Sequence, residues 1–118
     1  MSELVTGKAL PNVVVTGMTM TTALATDVDN TWKLLLDGQS GIRTLEDPFV
    51  EEFNLPVRIG GHLLEEFDHH LTKVELRRTA YLQRMSTVLS RRLWDDIGAP
   101  EVDTNRLLVS IGTGLGSA

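Results

Sequence analysis

A glycine-rich turn near the end of the sequence is the feature whose residue types could most directly do chemistry. It reads Gly-Thr-Gly-Leu-Gly over residues 112–116 and follows an apolar run at residues 107–111. Closely spaced glycines let backbone amides approach a phosphate or an oxyanion without obstruction by Cβ atoms. The spacing lacks the final glycine of the dinucleotide fingerprint and the Gly-Lys-Ser/Thr ending of a P-loop. A structural turn is therefore favoured over a nucleotide site.

The other side chains with catalytic potential are three histidines and two pairs of acids. The sequence contains no cysteine, so it supplies no thiolate nucleophile, thiolate metal ligand or disulfide. His69 and His70 are adjacent and cannot share one helical face, so we expect them and His62 on the surface or in loops rather than on a metal. The acid pairs at residues 51–52 and 65–66 adjoin turn signals, which predicts that they are solvated. We predict no metal and no cofactor.

Length and charge limit the classes of function. The chain has 118 residues, 42% of them hydrophobic, and a formal net charge of -5, which is typical of one globular domain and disfavours nucleic acid as a partner. The pairs Arg77-Arg78 and Arg91-Arg92 would attract an acidic partner if they share a surface, although solvated helix faces are the ordinary alternative. Residues 1–11 hold no apolar run long enough for a signal peptide or a membrane span. We therefore expect a cytoplasmic protein without a transmembrane segment.

The first half of the sequence predicts a strand followed by a helix. The β-branched run at residues 12–16 is typical of a strand buried on both faces of a parallel sheet. Thr26 with Asp29 resembles a capping box, so a helix should begin near Asp27 and end at Gly38. Its apolar face, which should cover the sheet, consists of Val28, Trp32, Leu35 and Leu36. Loop signals fill residues 39–56, and a brief strand is expected at residues 57–59.

The second half predicts two helices and another strand. Thr72 with Glu75 forms a capping box for a short helix that runs through Arg78. A longer helix should extend over residues 80–97, because Gly98 and Pro100 mark its end. Its apolar stripe consists of Leu82, Met85, Leu89, Leu93 and Ile97. Trp32 and Trp94 belong to helical apolar patterns, which favours core packing or an interface for both. With a second buried strand at residues 107–111, this order predicts an α/β layered fold and one incomplete domain.

The order of these segments resembles that of the β-ketoacyl synthases. The stretch VVVTGMTMTTALATDVDNTWKLLLDGQSGI is similar to the opening strand, loop and helix of that family. RRTAYLQRMSTVLSRRLWDDIGAPEVDTNRLLVSIGTGLGS is similar to the family's long helix, turn and glycine-ended strand, in the same order and spacing. Between them, FVEEFNLPVRIGGHLLEEF resembles the mycobacterial long-chain elongation branch. Together these stretches cover almost the whole chain.

The resemblance implies that residues 1–118 are the incomplete first half of a thiolase-type layered fold. β-Ketoacyl synthases join an acyl chain to a malonyl unit by decarboxylative Claisen condensation, in fatty-acid and mycolic-acid precursor synthesis. Their Cys nucleophile and two His residues lie downstream of the glycine-ended strand, so the histidines present here match none of them. The resemblance therefore implies no catalytic residue and no activity in this chain alone, with acyl carrier protein and a homodimer as the partners of the complete enzyme.

One local role follows from the resemblance. A residue between the glycines of the family's turn lies near the acyl-chain pocket, and Leu115 occupies that position here. An apolar side chain of this size suits contact with an alkyl chain, while ordinary core packing explains it equally well. For the chain as a whole, a noncatalytic α/β ligand-binding module is the alternative interpretation.

Overall fold

The computed structural model describes residues 11–114 of the chain. The helices in this range are α1 Val28–Leu36, α2 Pro48–Glu52, α3 Lys73–Arg78 and α4 Tyr81–Asp96, with short 3₁₀ turns at Asp68–His70 and Thr104–Arg106. The strands are β1 Arg43–Thr44 and β2 Ile59–Gly60. None of the helices described is both long and apolar enough to cross a membrane.

Helix α1 begins and ends close to the predicted residues. Its N-cap is Asp27, whose carboxylate accepts a hydrogen bond from the Asn30 amide at 2.9 Å. The predicted capping role of Thr26 is therefore wrong, because the neighbouring carboxylate takes the cap position. Gly38 has a φ of +69°, which confirms that it closes the helix in the left-handed conformation that glycine adopts readily.

Two short strands and a short helix lie between α1 and α3, where the sequence predicted a loop followed by one brief strand. β1 pairs antiparallel with β2, so that Arg43 lies opposite Gly60 and Thr44 opposite Ile59. The predicted strand at residues 57–59 is confirmed only at its end. Between the strands, α2 starts with Pro48 in its first turn, where the missing amide hydrogen costs no hydrogen bond. Asp47 and Pro48, which lie within the predicted loop, therefore mark the start of a helix.

The two predicted helices α3 and α4 are confirmed. Thr72 and Glu75 form the reciprocal capping box of α3, which ends at Arg78. The Ala80 amide at the start of α4 donates to the side chain of Gln83 at 2.9 Å. Gly98, with a φ of +84°, follows the end of α4 as predicted. These helix ends depend on hydrogen bonds between residues three or four positions apart, which the sequence displays directly.

Few apolar side chains are buried among residues 11–114. The buried apolar side chains are Ala25, Val50, Phe67 and Val88, and the buried hydroxyl of Thr31 lies 3.2 Å from that of Thr22. The ring of Phe67 also packs edge-on against Tyr81, with centroids 5.9 Å apart. The predicted stripe on α4 is half-buried along its length.

The strands predicted at residues 12–16 and 107–111 are not formed, and both predictions are wrong for this structure. Val13 is 91% exposed and Leu108 is 87% exposed, and neither run has a ladder partner within residues 11–114. A strand requires hydrogen bonds from a neighbour, so an apolar run cannot become one by itself. The accessible surface of 10304 Å² compares with about 6,300 Å² for a folded monomer of this mass.

The apolar face of α1 is likewise uncovered. Trp32 is 59% exposed, and Leu35 and Leu36 are exposed beside it, so the expected covering of a sheet is absent among the residues described. Core packing of Trp32 is therefore wrong among the residues described, and an interface stays a prediction for it, whereas Trp94 is half-buried. The predicted apolar faces are present, but among the described residues much of their surface is exposed to solvent.

Candidate functional site

The glycine turn that carries the sequence-based site lies at the edge of the described residues. Gly112 and Gly114 follow the exposed run at residues 107–111, and a Cβ atom added to either glycine would meet no atom of residues 11–114 within 4 Å. Among the described residues, close approach of other atoms is therefore not what requires glycine at these two positions. Leu115, the predicted acyl-chain contact, lies outside the described residues.

A groove lies between α4 and the end of the apolar run that precedes this turn. It has a volume of about 520 Å³, and Ile111 forms one side of it. The α4 side is lined by Leu82, Gln83, Ser86, Thr87, Ser90 and Arg91. The hydroxyls of Ser86 and Thr87 donate to α4's own carbonyls at 2.9 and 2.8 Å, so they are already satisfied. The groove therefore offers mainly apolar contact.

The two arginine pairs have different surroundings. Arg91 donates to Glu75 at 2.5 Å, and Arg92 donates to both carboxylate oxygens of Glu65. Arg77 and Arg78 are exposed at the end of α3, with no acidic partner in the part of the chain that the structure describes. Only Arg77 and Arg78 are therefore available as a cationic surface.

Lys73 extends that surface and was missed by sequence reasoning. It is exposed, and like Arg77 it has no acidic partner within residues 11–114. The two residues are four positions apart on α3, so they share one helical face. That spacing was the signal that could have identified it. We call Lys73, Arg77 and Arg78 the α3 basic surface.

Glu65 contradicts the prediction of a solvated acid. Its side chain is only 7% exposed, because it is enclosed between the 3₁₀ turn and α4. The hydrogen bond from Arg92 holds the pKa of Glu65 below its ordinary value, and this outweighs the opposing effect of desolvation. The Thr21 hydroxyl is buried nearby and has no hydrogen bond of ordinary geometry to the residues described, yet its proximity lowers the pKa of Glu65 further. The other three acids of the two pairs are exposed, as expected.

Glu75 has the largest resolved shift of a carboxyl group among the described residues. The hydrogen bond from Arg91, followed by those from the amide and hydroxyl of Thr72, lowers the pKa of Glu75 to about 2. Tyr81 shifts the other way, because partial burial and then the nearby acids raise the pKa of its phenol. Both shifts follow from packing and hydrogen bonding within the chain.

The three histidines lie on the surface, which confirms their predicted location. His62 extends from the segment after β2, 3.6 Å from Asp47, and lines an open cavity of about 580 Å³ with Arg43 and Glu46. His69 and His70 belong to the 3₁₀ turn, where their rings lie 4.0 Å apart. Within residues 11–114 no three potential ligands are grouped to hold a metal ion.

Comparison with known proteins assigns these features to a family. Residues 11–118 match the family model described as the β-ketoacyl synthase N-terminal domain. The chain belongs to this family. It is 84% identical over 116 residues to the 3-oxoacyl-[acyl-carrier-protein] synthase 2 of Mycobacterium leprae and 82% identical over all 118 residues to that of Mycobacterium tuberculosis. A more distant relative, the 3-oxoacyl-[acyl-carrier-protein] synthase 2 of Vibrio harveyi, is 33% identical over 108 residues.

The family members are much longer than this chain. The match covers 98% and 100% of the chain for the two mycobacterial relatives but 28% of either relative, and it covers 88% of the chain and 25% of the Vibrio relative. The chain therefore corresponds to an N-terminal portion of a β-ketoacyl synthase. The apolar face of α1 and the two apolar runs are thus exposed in a chain that spans 28% of the length of either mycobacterial relative.

Proposed function

We propose that this chain is the N-terminal part of a β-ketoacyl-acyl carrier protein synthase that elongates acyl chains in fatty-acid or mycolic-acid precursor synthesis. The supporting observation is 82–84% identity, across nearly every residue, to mycobacterial proteins named 3-oxoacyl-[acyl-carrier-protein] synthase 2. Residues 1–118 then form part of one synthase domain, the incomplete first half of a thiolase-type layered fold. The exposed apolar runs on either side of the helices are in keeping with that proposal.

Catalysis in this proposal belongs to residues outside this chain. In the complete enzyme a cysteine thiolate attacks the acyl thioester and releases the carrier's thiol. Decarboxylation of the malonyl thioester then gives CO₂ and a carbanion, which attacks the enzyme-bound acyl carbonyl and frees the thiolate. The product is a β-ketoacyl group on the second carrier. With no cysteine in its sequence, this chain cannot carry the acyl intermediate.

A thioester-trapping assay tests this division of labour. The chain and a chimera, in which the chain replaces the corresponding part of the Mycobacterium tuberculosis relative, are incubated with labelled acyl carrier protein substrate and then denatured. We expect hydroxylamine-sensitive label on the chimera and none on the chain. Label retained by the chain alone, or a chimera that folds and binds substrate but forms no acyl intermediate or β-ketoacyl product, would contradict the proposal.

The α3 basic surface is the proposed docking site for the acidic acyl carrier protein. Its exposed cations lack acidic partners among the described residues, whereas Arg91 and Arg92 are occupied by ion pairs. Charges of this kind act mainly on encounter, so their effect should fall as salt rises. In this proposal, Arg77 and Arg78 bind the carrier protein and take no part in the condensation reaction.

Charge reversal in the chimera tests this docking surface. Arg77→Glu with Arg78→Glu should raise the KM for the carrier-linked substrate by about tenfold at low salt, since reversal makes two attractions repulsive, and should leave kcat nearly unchanged. Lys33→Glu is the matched control, because Lys33 is an exposed cation on a different helix, α1. Equal effects of the two variants, or a loss confined to kcat, would rule out docking at α3.

Leu115 is proposed to border the acyl-chain pocket of the complete enzyme. The motif position and the apolar side chain support this role. In the chimera, Leu115→Trp should lower kcat/KM for long acyl donors more than for short ones, because added bulk obstructs the far end of the chain. Leu115→Met conserves volume and is the control. An equal loss for both donor lengths would argue for ordinary packing at this position.

The complete enzyme is proposed to be a cytoplasmic homodimer. The uncovered apolar face of α1 is compatible with burial by further parts of the protein or by a second copy. Light scattering of the chimera at catalytic concentrations measures this directly. A monomeric chimera with full activity would exclude an obligate dimer.

A further inference from the structure

The carboxylate of Glu75 joins two helices. Its Oε2 atom accepts hydrogen bonds from the amide and the hydroxyl of Thr72, at 2.8 and 2.9 Å, at the N-terminus of α3. Its Oε1 atom accepts a hydrogen bond from Arg91 Nη2 on α4 at 2.5 Å. Because the bonds from Arg91 and then Thr72 lower the pKa of Glu75 to about 2, the carboxylate is ionised at neutral pH. One side chain thus connects the first turn of α3 to α4.

Helix α3 depends on contacts of this kind. It has six residues, whereas isolated helices shorter than about 12–15 residues are marginal in water, so the rest of the chain must hold it. Its C-terminal end is held by Arg84, which donates to the carbonyls of Leu76 and Thr79. Its N-terminal end is held by the bond between Glu75 and Arg91, which we call the α3–α4 link.

The link and the α3 basic surface lie on different sides of α3. Glu75 and Leu76 are half-buried, whereas Lys73, Arg77 and Arg78 are exposed. Lys73 and Arg77 are each two residues from Glu75, which corresponds to about 200° of rotation around a helix, so they project from nearly the opposite side. The link therefore fixes the direction in which these cations point.

We propose that Glu75 and Arg91 are positioning residues, which orient the α3 basic surface for the acyl carrier protein. This rests on the docking role proposed above for that surface. Without the link, α3 presents its cations in the binding orientation for only part of the time, and the apparent affinity for the carrier falls by that fraction. The side chains of Glu75 and Arg91 are 29% and 54% exposed, so water competes for the link and its effect is modest.

Removal of a negative charge distinguishes positioning from simple attraction. If attraction alone acted, Glu75→Ala would strengthen the binding of an acidic carrier, because it removes an acid near the cations. Positioning predicts the opposite. In the chimera, Glu75→Ala should raise the KM for the carrier-linked substrate about threefold and leave kcat nearly unchanged. Arg91→Met should raise this KM by a similar factor, and the double variant should be no worse than either single variant, since each removes the same link.

Two controls isolate the effect on docking. Glu52→Ala removes an exposed acid from a different helix, α2, and should leave the KM for the carrier-linked substrate unchanged. A malonyl thioester of N-acetylcysteamine lacks the carrier protein, so its KM should be the same in the unsubstituted chimera and in both link variants. A threefold effect confined to the carrier-linked substrate would support positioning.

The remaining outcomes overturn positioning in distinguishable ways. If Arg77→Glu with Arg78→Glu raises the KM but Glu75→Ala lowers it or leaves it unchanged, docking at α3 stands and the link does not orient the surface. Independent effects of Glu75→Ala and Arg91→Met, which multiply in the double variant, would assign direct attraction to Arg91. An equal rise for the carrier-free thioester would mean a general loss of structure. If reversal of the α3 charges has no effect, the docking proposal itself is wrong and positioning fails with it.

Discussion

The backbone of Gly17 lies directly against the side chain of Ile97, the residue that caps the end of α4. A Cβ atom added to Gly17 would lie 2.3 Å from Ile97 Cγ2 and 3.1 Å from Leu93 Cδ1. Real Cβ atoms do not approach carbon atoms to 2.3 Å, so a side chain at this position forces one of the two segments to move. The contact joins the N-terminal segment to the longest helix described, 80 residues further along the chain.

Replacement of Gly17 by alanine should therefore destabilise the chain. The β-branched side chain of Ile97 is stiff and cannot turn aside freely, so we expect Gly17→Ala to cost about 1–3 kcal/mol of unfolding free energy and to lower the urea midpoint. Gly112→Ala is the matched control, since a Cβ atom there meets no atom of the described part of the chain within 4 Å. Circular dichroism in urea measures both variants, and equal midpoints would show that Ile97 yields without cost.

Arg84 should stabilise the junction between α3 and α4. Its Nε donates to the Thr79 carbonyl at 3.0 Å, its Nη2 to the Leu76 carbonyl at 2.9 Å, and its Nη1 to Asp68 at 2.9 Å. The two carbonyls lie at the end of α3 and in the junction, where intrahelical donors are missing. We expect Arg84→Met to cost about 2 kcal/mol and to increase hydrogen exchange in α3 before α4.

Two controls separate the geometry of Arg84 from its charge. Arg84→Lys retains the attraction to Asp68 but not the planar fork, so it should restore only a small part of the loss. Arg106→Met removes an exposed arginine from the second 3₁₀ turn and should leave exchange in α3 unchanged. Full rescue by lysine would indicate that charge, rather than the two carbonyl bonds, is what matters.

Glu75 should make the stability of α3 depend on acid. The bond from Arg91, followed by those from Thr72, lowers the pKa of Glu75 from 4.5 to about 2 in the folded chain. The folded state therefore binds this proton less readily than the unfolded state, and stability falls as pH decreases below about 4.5 towards 2. Helical circular dichroism over this range should show the decrease.

Glu75→Gln should flatten this acid dependence, because no proton is then taken up at position 75. Glu66→Gln is the control, since Glu66 is exposed and forms no ion pair within residues 11–114. If the decrease of helical circular dichroism with falling pH is unchanged in Glu75→Gln, or is equally reduced in both variants, other carboxyl groups control acid unfolding.

The isolated chain should self-associate or unfold with low cooperativity. The apolar runs at residues 13–15 and 107–111 are exposed together with the face of α1, and exposed apolar surface with unpaired backbone promotes association. We expect size-exclusion chromatography with light scattering to give species larger than a monomer, or a urea transition with an m-value below about 1 kcal/mol/M. A monodisperse monomer with a sharp transition would show that these residues fold independently.

The sequence by itself determined the helices whose ends are fixed by near neighbours. Thr72 with Glu75, Gly38 and Gly98 each act within one helical turn, so α3 and the ends of α1 and α4 could be predicted from spacing alone. The same was true of the surface position of the histidines. The family resemblance also required only the order of segments along the chain, and it is confirmed by the match over residues 11–118.

Only the tertiary structure decided the fate of groups whose partners are distant in sequence. Glu65 is buried because Arg92, 27 residues away, neutralises its charge, and no local signal at residues 65–66 indicates that partner. Residues 12–16 and 107–111 have the composition of buried strands, yet they are exposed because a strand forms only when neighbouring backbone supplies its hydrogen bonds and neighbouring side chains cover its faces. Composition determines what a segment can become, and contacts between distant segments determine whether it does.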